Sequence, residues 1–301
     1  MRVDTAETAA VSVAPVASSR VARDGEIGVR GARIAYRQWG SDTDFPVLAL
    51  HGWLDNAASF DALAPQLEGY RVIAVDLPGH GRSSHRSADG SYNIWDDLPD
   101  LVALVREFGL PRYGLLGHSR GAVIATLMAA IEAPAVSSVV LLDGIIPPPF
   151  DAADTVRQLR TYAHDYGLRA PRAAHVFATS MDAVDARCKA TGIDRGAAGM
   201  LVARSLEQAE GGFRWCTDAR LRYASALKFG QEHVRNVLGS LQLPGLLIAA
   251  SGSDPGRIAD HPSIAWYRAL EVVHIEGCHH CHMLAQSRDI AAYILKFWRA
   301  L

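Results

Sequence analysis

The sequence predicts an α/β protein with a mostly parallel central sheet, helices on its flanks and a helical cap inserted late in the chain. Three observations predict it. Short continuous apolar runs alternate with stretches of helical periodicity. One apolar run, Tyr113-Gly-Leu-Leu-Gly117, passes through Gly117-His118-Ser119-Arg120-Gly121 into an Ala/Leu-rich helical stretch. The alternation stops after Pro147-Pro148-Pro149 and resumes near Gly245.

The elements follow in order. Glu26 to Val29 and Ala32 to Trp39 flank Arg30-Gly31 and read as a hairpin. Pro46-Val-Leu-Ala-Leu-His-Gly52 and Tyr70-Arg-Val-Ile-Ala-Val-Asp-Leu77 are unbroken apolar runs, as in strands buried on both faces. Ala57 to Leu67 between them reads as a helix with Phe60, Leu63 and Leu67 on one side. Pro78-Gly-His-Gly-Arg-Ser-Ser84 is a loop, and Ile94 to Phe108 has helical spacing. Ser137 to Asp143 is a strand closed by Gly144. From Asp151 to Val237 helical pieces are expected at Asp154–Tyr166, Ala173–Met181 and Ala198–Ala209, with an extended piece at Gly211–Trp215. Strand Gly245–Ala250, a helix at Ser263–Leu270, strand Glu271–Ile275 and an amphipathic last helix complete the chain. The expected division is an arm over 1–24, a core over 25–145 and 238–301, and a cap over 146–237.

At 301 residues and 49% hydrophobic, the chain is long enough for a large core. A net charge of −2 gives no electrostatic case for nucleic acid or an anionic membrane surface. No apolar run reaches the ~18 residues of a membrane span. Four cysteines in this length do not suggest a disulfide scaffold. The first 24 residues lack the unbroken apolar stretch and basic start of a secretion signal, so they read as a flexible arm and the location as cytoplasmic. Oligomeric state is not legible.

The chemistry concentrates at strand ends. A serine on a sharp strand-to-helix turn lifts its hydroxyl above the sheet, and the tight turn calls for glycine on both sides. A serine hydroxyl is a weak nucleophile that needs a base, and the base needs an orienting acid. Three strand ends offer these in the chain order Ser, Asp, His: Ser119, Asp254 and the His279-His280 pair.

These pieces resemble the α/β-hydrolase fold family, especially its capped members, from about Glu26 to the C-terminus. The matching motifs are His51-Gly52-Trp53, Asp76-Leu-Pro-Gly-His-Gly-Arg-Ser-Ser84, the Ser119 turn and Gly277-Cys-His-His-Cys-His282. The run His51 to Phe60 is similar to the serine hydrolase-like subgroup. The resemblance implies Ser119 as nucleophile, His279 ahead of His280 as base, and the backbone N–H groups of Trp53 and Arg120 as oxyanion hole. His51 is expected to shape its loop, and His118 to be a wall of the site. The acid is expected at Asp254, in a Gly-x-Asp loop one residue shorter than the family's form, with Asp143 as the alternative.

Cys278-His-His-Cys-His282 is half of a zinc pattern with no second half, so no metal and no cofactor are expected, and its cysteines read as apolar fillers. Arg120 is expected to be exposed or to face the cap. The expected activity is hydrolysis of a carboxylic ester through an acyl-enzyme, on a small substrate with an apolar acyl group held by large cap side chains such as Phe177 and Trp215. A thioesterase, a lactonase, a carbon–carbon bond hydrolase or a non-catalytic binding protein of this fold remain alternatives.

Overall fold

The computed structural model describes residues 21–168, 175–253 and 260–301. Among the described residues ten strands follow in chain order: β1 (Arg23–Val29), β2 (Ala32–Trp39), β3 (Phe45–Leu50), β4 (Tyr70–Val75), β5 (Tyr113–His118), β6 (Val136–Leu142), β7 (Leu206–Ala209), β8 (Gly212–Trp215), β9 (Gly245–Ala250) and β10 (Leu270–Ile275). Eight of them form one sheet in the order β1-β2-β4-β3-β5-β6-β9-β10. The β1–β2 and β2–β4 pairs are antiparallel; all the others are parallel.

Alternation along the strands splits the interior in two. On β3, Leu48 and Leu50 belong to one apolar cluster, and Val47 and Ala49 to the other. The first cluster is closed by α1 (Leu98–Glu107), α2 (Arg120–Ile131) and, later in the chain, by a helix at Gln231–Ser240. The second is closed by the 57–67 segment and by the C-terminal helix at Ser287–Arg299. Burial on both faces explains why the parallel strands read as unbroken apolar runs.

Several helices differ from expectation. The 57–67 segment forms two short 3₁₀ turns, Ala57–Phe60 and Ala64–Gln66, because Pro65 supplies no N–H to continue a helix. Its apolar side chains are buried all the same, with Phe60 and Leu63 at 0% exposure. Ile94–Asp97 is a 3₁₀ turn leading into α1. Pro262–Trp266 is also 3₁₀, and Leu270 already belongs to β10.

The inserted region carries α3 (Thr155–Leu168), α4 (Ser180–Thr191) and α5 (Arg195–Ser205). The helix expected at Ala173–Met181 falls partly outside the described residues, and α4 starts only at Ser180, where Thr179 and Asp182 cap each other. The piece expected as helix to Ala209 ends at Ser205; Leu206–Ala209 is β7, paired with β8 in a separate hairpin. The insertion has its own apolar cluster around Phe177, Val184, Leu201 and Val202, joined by Met283. The following helix, α6 (Gln231–Ser240), buries Val234 and Leu238 in the main cluster, so residue 237 falls inside a helix of the sheet layer. The last helix, Ser287–Arg299, is α7. Of the expected arm, residues 1–20 lie outside the described residues, and Arg23 and Asp24 are part of β1. Among the described residues no helix is long and apolar enough to cross a membrane.

Polar contacts seat the insertion on the core. Arg204 Nε lies 3.0 and 2.9 Å from the two carboxylate oxygens of Asp76, with both side chains buried. Asp76 also accepts from the N–H groups of Ala57 and Arg82, and a side chain at Gly81 would run into its carboxylate. The 76–84 loop is thereby structural. Asn56 Nδ2 donates to Leu201 O and Ser205 Oγ, and the Trp53 indole N–H donates to Leu221 O.

Candidate active site

Ser119 stands between the last residue of β5 and the first of α2, with φ at 51°. That is a left-handed conformation that costs a non-glycine residue energy and persists where its surroundings hold it. They do so closely. Ser119 N–H donates to Leu142 O at 3.0 Å. A Cβ at Gly117 would lie 2.5 Å from Ala122 Cα, and one at Gly121 would lie 2.0 Å from Leu50 O. Gly144, which the motif does not include, is equally constrained: its Cβ would sit 2.7 Å from Ser119 O.

His279 follows β10 in a loop that packs against this turn. Its Nδ1 lies 2.5 Å from Asp143 Oδ2. Asp143 directly follows β6 and has φ at 47°, and its N–H donates to Ile248 O. Its carboxylate also accepts from Ala250 N–H at 3.0 Å and Ser253 Oγ at 2.5 Å. Burial pushes the Asp143 carboxyl up, but the hydrogen bonds from His279, Ser253 and Ala250 outweigh it and hold the group below its ordinary value. The carboxylate in contact with His279 is that of Asp143, the residue the sequence reading gave as the alternative to Asp254. Asp254 lies outside the described residues. The loop after β9 sends Ser253 to this point, as a donor to Asp143.

Ser119, Asp143 and His279 line one cavity of about 790 Å³. Its other walls include Trp53, Ile94, Val123, Ile145, Leu221 and Tyr223. The inserted region contributes Leu221, Arg222, Tyr223 and Ser225. Phe177 and Trp215 do not line it; they meet edge to face, 5.5 Å apart, within the inserted region. Arg120 opens α2, so its backbone N–H has no acceptor within the helix. Its guanidinium is not exposed: Nη1 lies 2.8 Å from buried Asp97. Trp53 follows the end of β3 by three residues, is about half exposed and presents its ring to the cavity.

His51, His118 and His282 have structural partners. His51 is buried, donates from Nδ1 to Gly52 O and accepts Leu77 N–H at Nε2. Nε2 of His118 is 2.9 Å from His279 O, which ties the His279 backbone to the serine turn. His282 is buried against Ser59 Oγ at 2.9 Å. Cys281 is buried in the second apolar cluster, and burial pushes its thiol up to about 12; Cys278 is exposed. The sequence did not single out Asp55, whose buried carboxylate gathers His118, His280 and Arg187. The ligand atoms of Asp55, His118 and His280 all lie within 4.8 Å of one another.

Comparison with known proteins agrees with this architecture. A family profile described as alpha/beta hydrolase fold matches residues 46–187. A serine hydrolase-like protein of Danio rerio is 27% identical over 278 residues, covering 88% of this chain and 85% of the relative. A human serine hydrolase-like protein is 36% identical over 138 residues, covering 46% of this chain and 67% of the relative. A crystal structure of a hypothetical protein from Pseudomonas aeruginosa superposes with TM-score 0.83 at 35% identity, covering 92% of this chain and 98% of that one. The thioesterase domain from the curacin biosynthetic pathway follows at TM-score 0.81 and 26% identity, covering 92% and 99%. The chain belongs to the α/β-hydrolase fold family. Within that family it is a serine hydrolase-like member.

Proposed function

We propose that this protein hydrolyses a carboxylic ester through an acyl-enzyme formed on Ser119, with His279 as base and Asp143 as the orienting acid. The observation that carries the reading is the 2.5 Å contact of His279 Nδ1 with Asp143 at the cavity that also holds the strained Ser119. A carboxylate on Nδ1 holds the proton there, so Nε2 presents its lone pair as a base. Nε2 takes the Ser119 proton as Oγ attacks the carbonyl carbon. The backbone N–H groups of Trp53 and Arg120 bind the oxyanion, and the tetrahedral species collapses as His279 protonates the departing alcohol. Water, deprotonated by His279, then attacks the acyl carbon, and Ser119 leaves with the proton restored. Ile145, Leu221 and Val123 on the cavity wall support an apolar acyl group.

A thioester is the second reading, favoured by the likeness to the thioesterase domain. The same triad serves both, so the leaving group must be tested directly. A panel of p-nitrophenyl esters, acyl thioesters and lactones, run on wild type and Ser119→Ala together, separates the readings. Turnover of one class that disappears in Ser119→Ala is expected. Turnover that survives in Ser119→Ala, or tight ligand binding with no turnover on any member, would reject the proposal.

A further inference from the structure

We infer that Asp55, His118 and His280 form a binding site for one divalent transition-metal ion, behind the loop that carries His279. Asp55 Oδ2 lies 3.5 Å from His118 Nδ1 and 3.3 Å from His280 Nε2. Oxygen and imidazole ligands about 2.0–2.1 Å from a tetrahedral ion stand about 3.3–3.5 Å apart, so both carboxylate–imidazole spacings fit, and the two imidazole atoms lie within 4.8 Å of each other.

The protonation of His118 sharpens the case. Its Nε2 faces the carbonyl of His279, which can only accept, so Nε2 carries the hydrogen. In the neutral ring Nδ1 is then a bare lone pair. This atom is fully buried, has no hydrogen-bond partner among the described residues and faces a carboxylate. Two electron-rich groups aimed at each other in a dry interior call for a cation between them.

The surroundings suit one. Arg187 Nη2 holds the other Asp55 oxygen at 2.6 Å and fixes the carboxylate, as an outer-shell partner does for a metal ligand. A Cβ on Gly52 would lie 2.8 Å from Asp55 Oδ2 and 2.9 Å from His118 Nδ1, so glycine keeps the space beside both donors open. The His280 side chain, 14% exposed, gives a way in. Two imidazoles and one carboxylate prefer Zn²⁺, Co²⁺, Ni²⁺ or Cu²⁺ over Mg²⁺ or Ca²⁺. The cysteines of the Cys-x-x-Cys run are not part of the cluster. A bound ion would steady His279 from both sides, through its neighbour His280 and through His118 on its carbonyl.

The test is a Co²⁺ titration of chelator-treated full-length protein, read by visible absorption and by Tm. The expected result is a one-to-one complex with the intense spectrum of four-coordinate cobalt, displaced by Zn²⁺ and accompanied by a higher Tm. His280→Gln and Asp55→Asn, each checked for folding by circular dichroism, should each lower affinity by at least about 10-fold, and Cys278→Ser should leave it unchanged. No one-to-one complex in wild type, a weak spectrum insensitive to His280→Gln, or a complex lost in Cys278→Ser would overturn the inference.

Discussion

Asp143 Oδ2 and His279 Nδ1 meet at 2.5 Å although 136 positions separate them in the chain. The contact exists because β6 and β9 are neighbours, and the positive φ of Asp143 turns its carboxylate across the end of β9 toward the His279 loop. Asp143→Asn should leave the fold intact and reduce the acylation rate by orders of magnitude, ~10⁴ in the serine-protease analogue. Asp254→Asn should cost much less. Pre-steady-state acylation rates on both variants check this, and the reverse ranking would move the acid to the loop after β9.

The seating of the inserted region should depend on Arg204. With Asp76 left buried and unpaired, Arg204→Met is expected to destabilise the protein by about 3–5 kcal/mol, the usual cost of removing one partner of a buried ion pair. Urea unfolding followed by tryptophan fluorescence measures it. A change within about 0.5 kcal/mol, the range of ordinary surface substitutions, would show that the pair does not hold cap and core together.

Acyl preference should follow the cavity wall and not the cap interior. Each methylene that enters an apolar pocket gains about 0.8 kcal/mol, so kcat/KM on p-nitrophenyl esters should rise with chain length until the pocket is full. Leu221→Ala should shift the maximum to longer chains. Phe177→Ala, in the cap's own apolar cluster, should lower Tm and leave the maximum in place. A profile moved by Phe177→Ala and indifferent to Leu221→Ala would contradict this placement.

Stability should fall on mild acidification. Burial holds His51 below its usual value and His80 well below it. His51 also has no free acceptor, since Nδ1 donates to Gly52 O and Nε2 accepts from Leu77. Between the depressed folded values and the ordinary value of about 6.5, the unfolded chain binds more protons, so stability rises with pH across that window. In chelator, the urea midpoint should be flat above about pH 7 and decline below about 6.5. His80→Gln should make the decline shallower. A midpoint constant down to about pH 5 would contradict the neutral buried state of these rings.

The legible parts of this protein are those with local physical signatures. Strands β3, β4, β5 and β9 are buried on both faces and so appear as apolar runs; Ser119 is marked by glycines that its turn requires. The illegible parts depend on distant partners. Asp143 and Asp254 offer the same carboxylate after two strands, and the Asp143–His279 contact depends on the sheet order and on the turn at Asp143. Asp55 carries no local signal because its partners Arg187 and His280 lie 132 and 225 positions away. Phe177 and Trp215 have the composition of a pocket wall, but they pack against each other within the inserted region.

The proposed chemistry rests first on Ser119 as the nucleophile. Intact-mass spectrometry after treatment with an active-site-directed alkyl phosphonate tests it most directly. One adduct is expected on wild type, mapped to Ser119 by peptide sequencing, and none on Ser119→Ala. An adduct mapped to another residue, or labelling of Ser119→Ala at the wild-type rate, would contradict it.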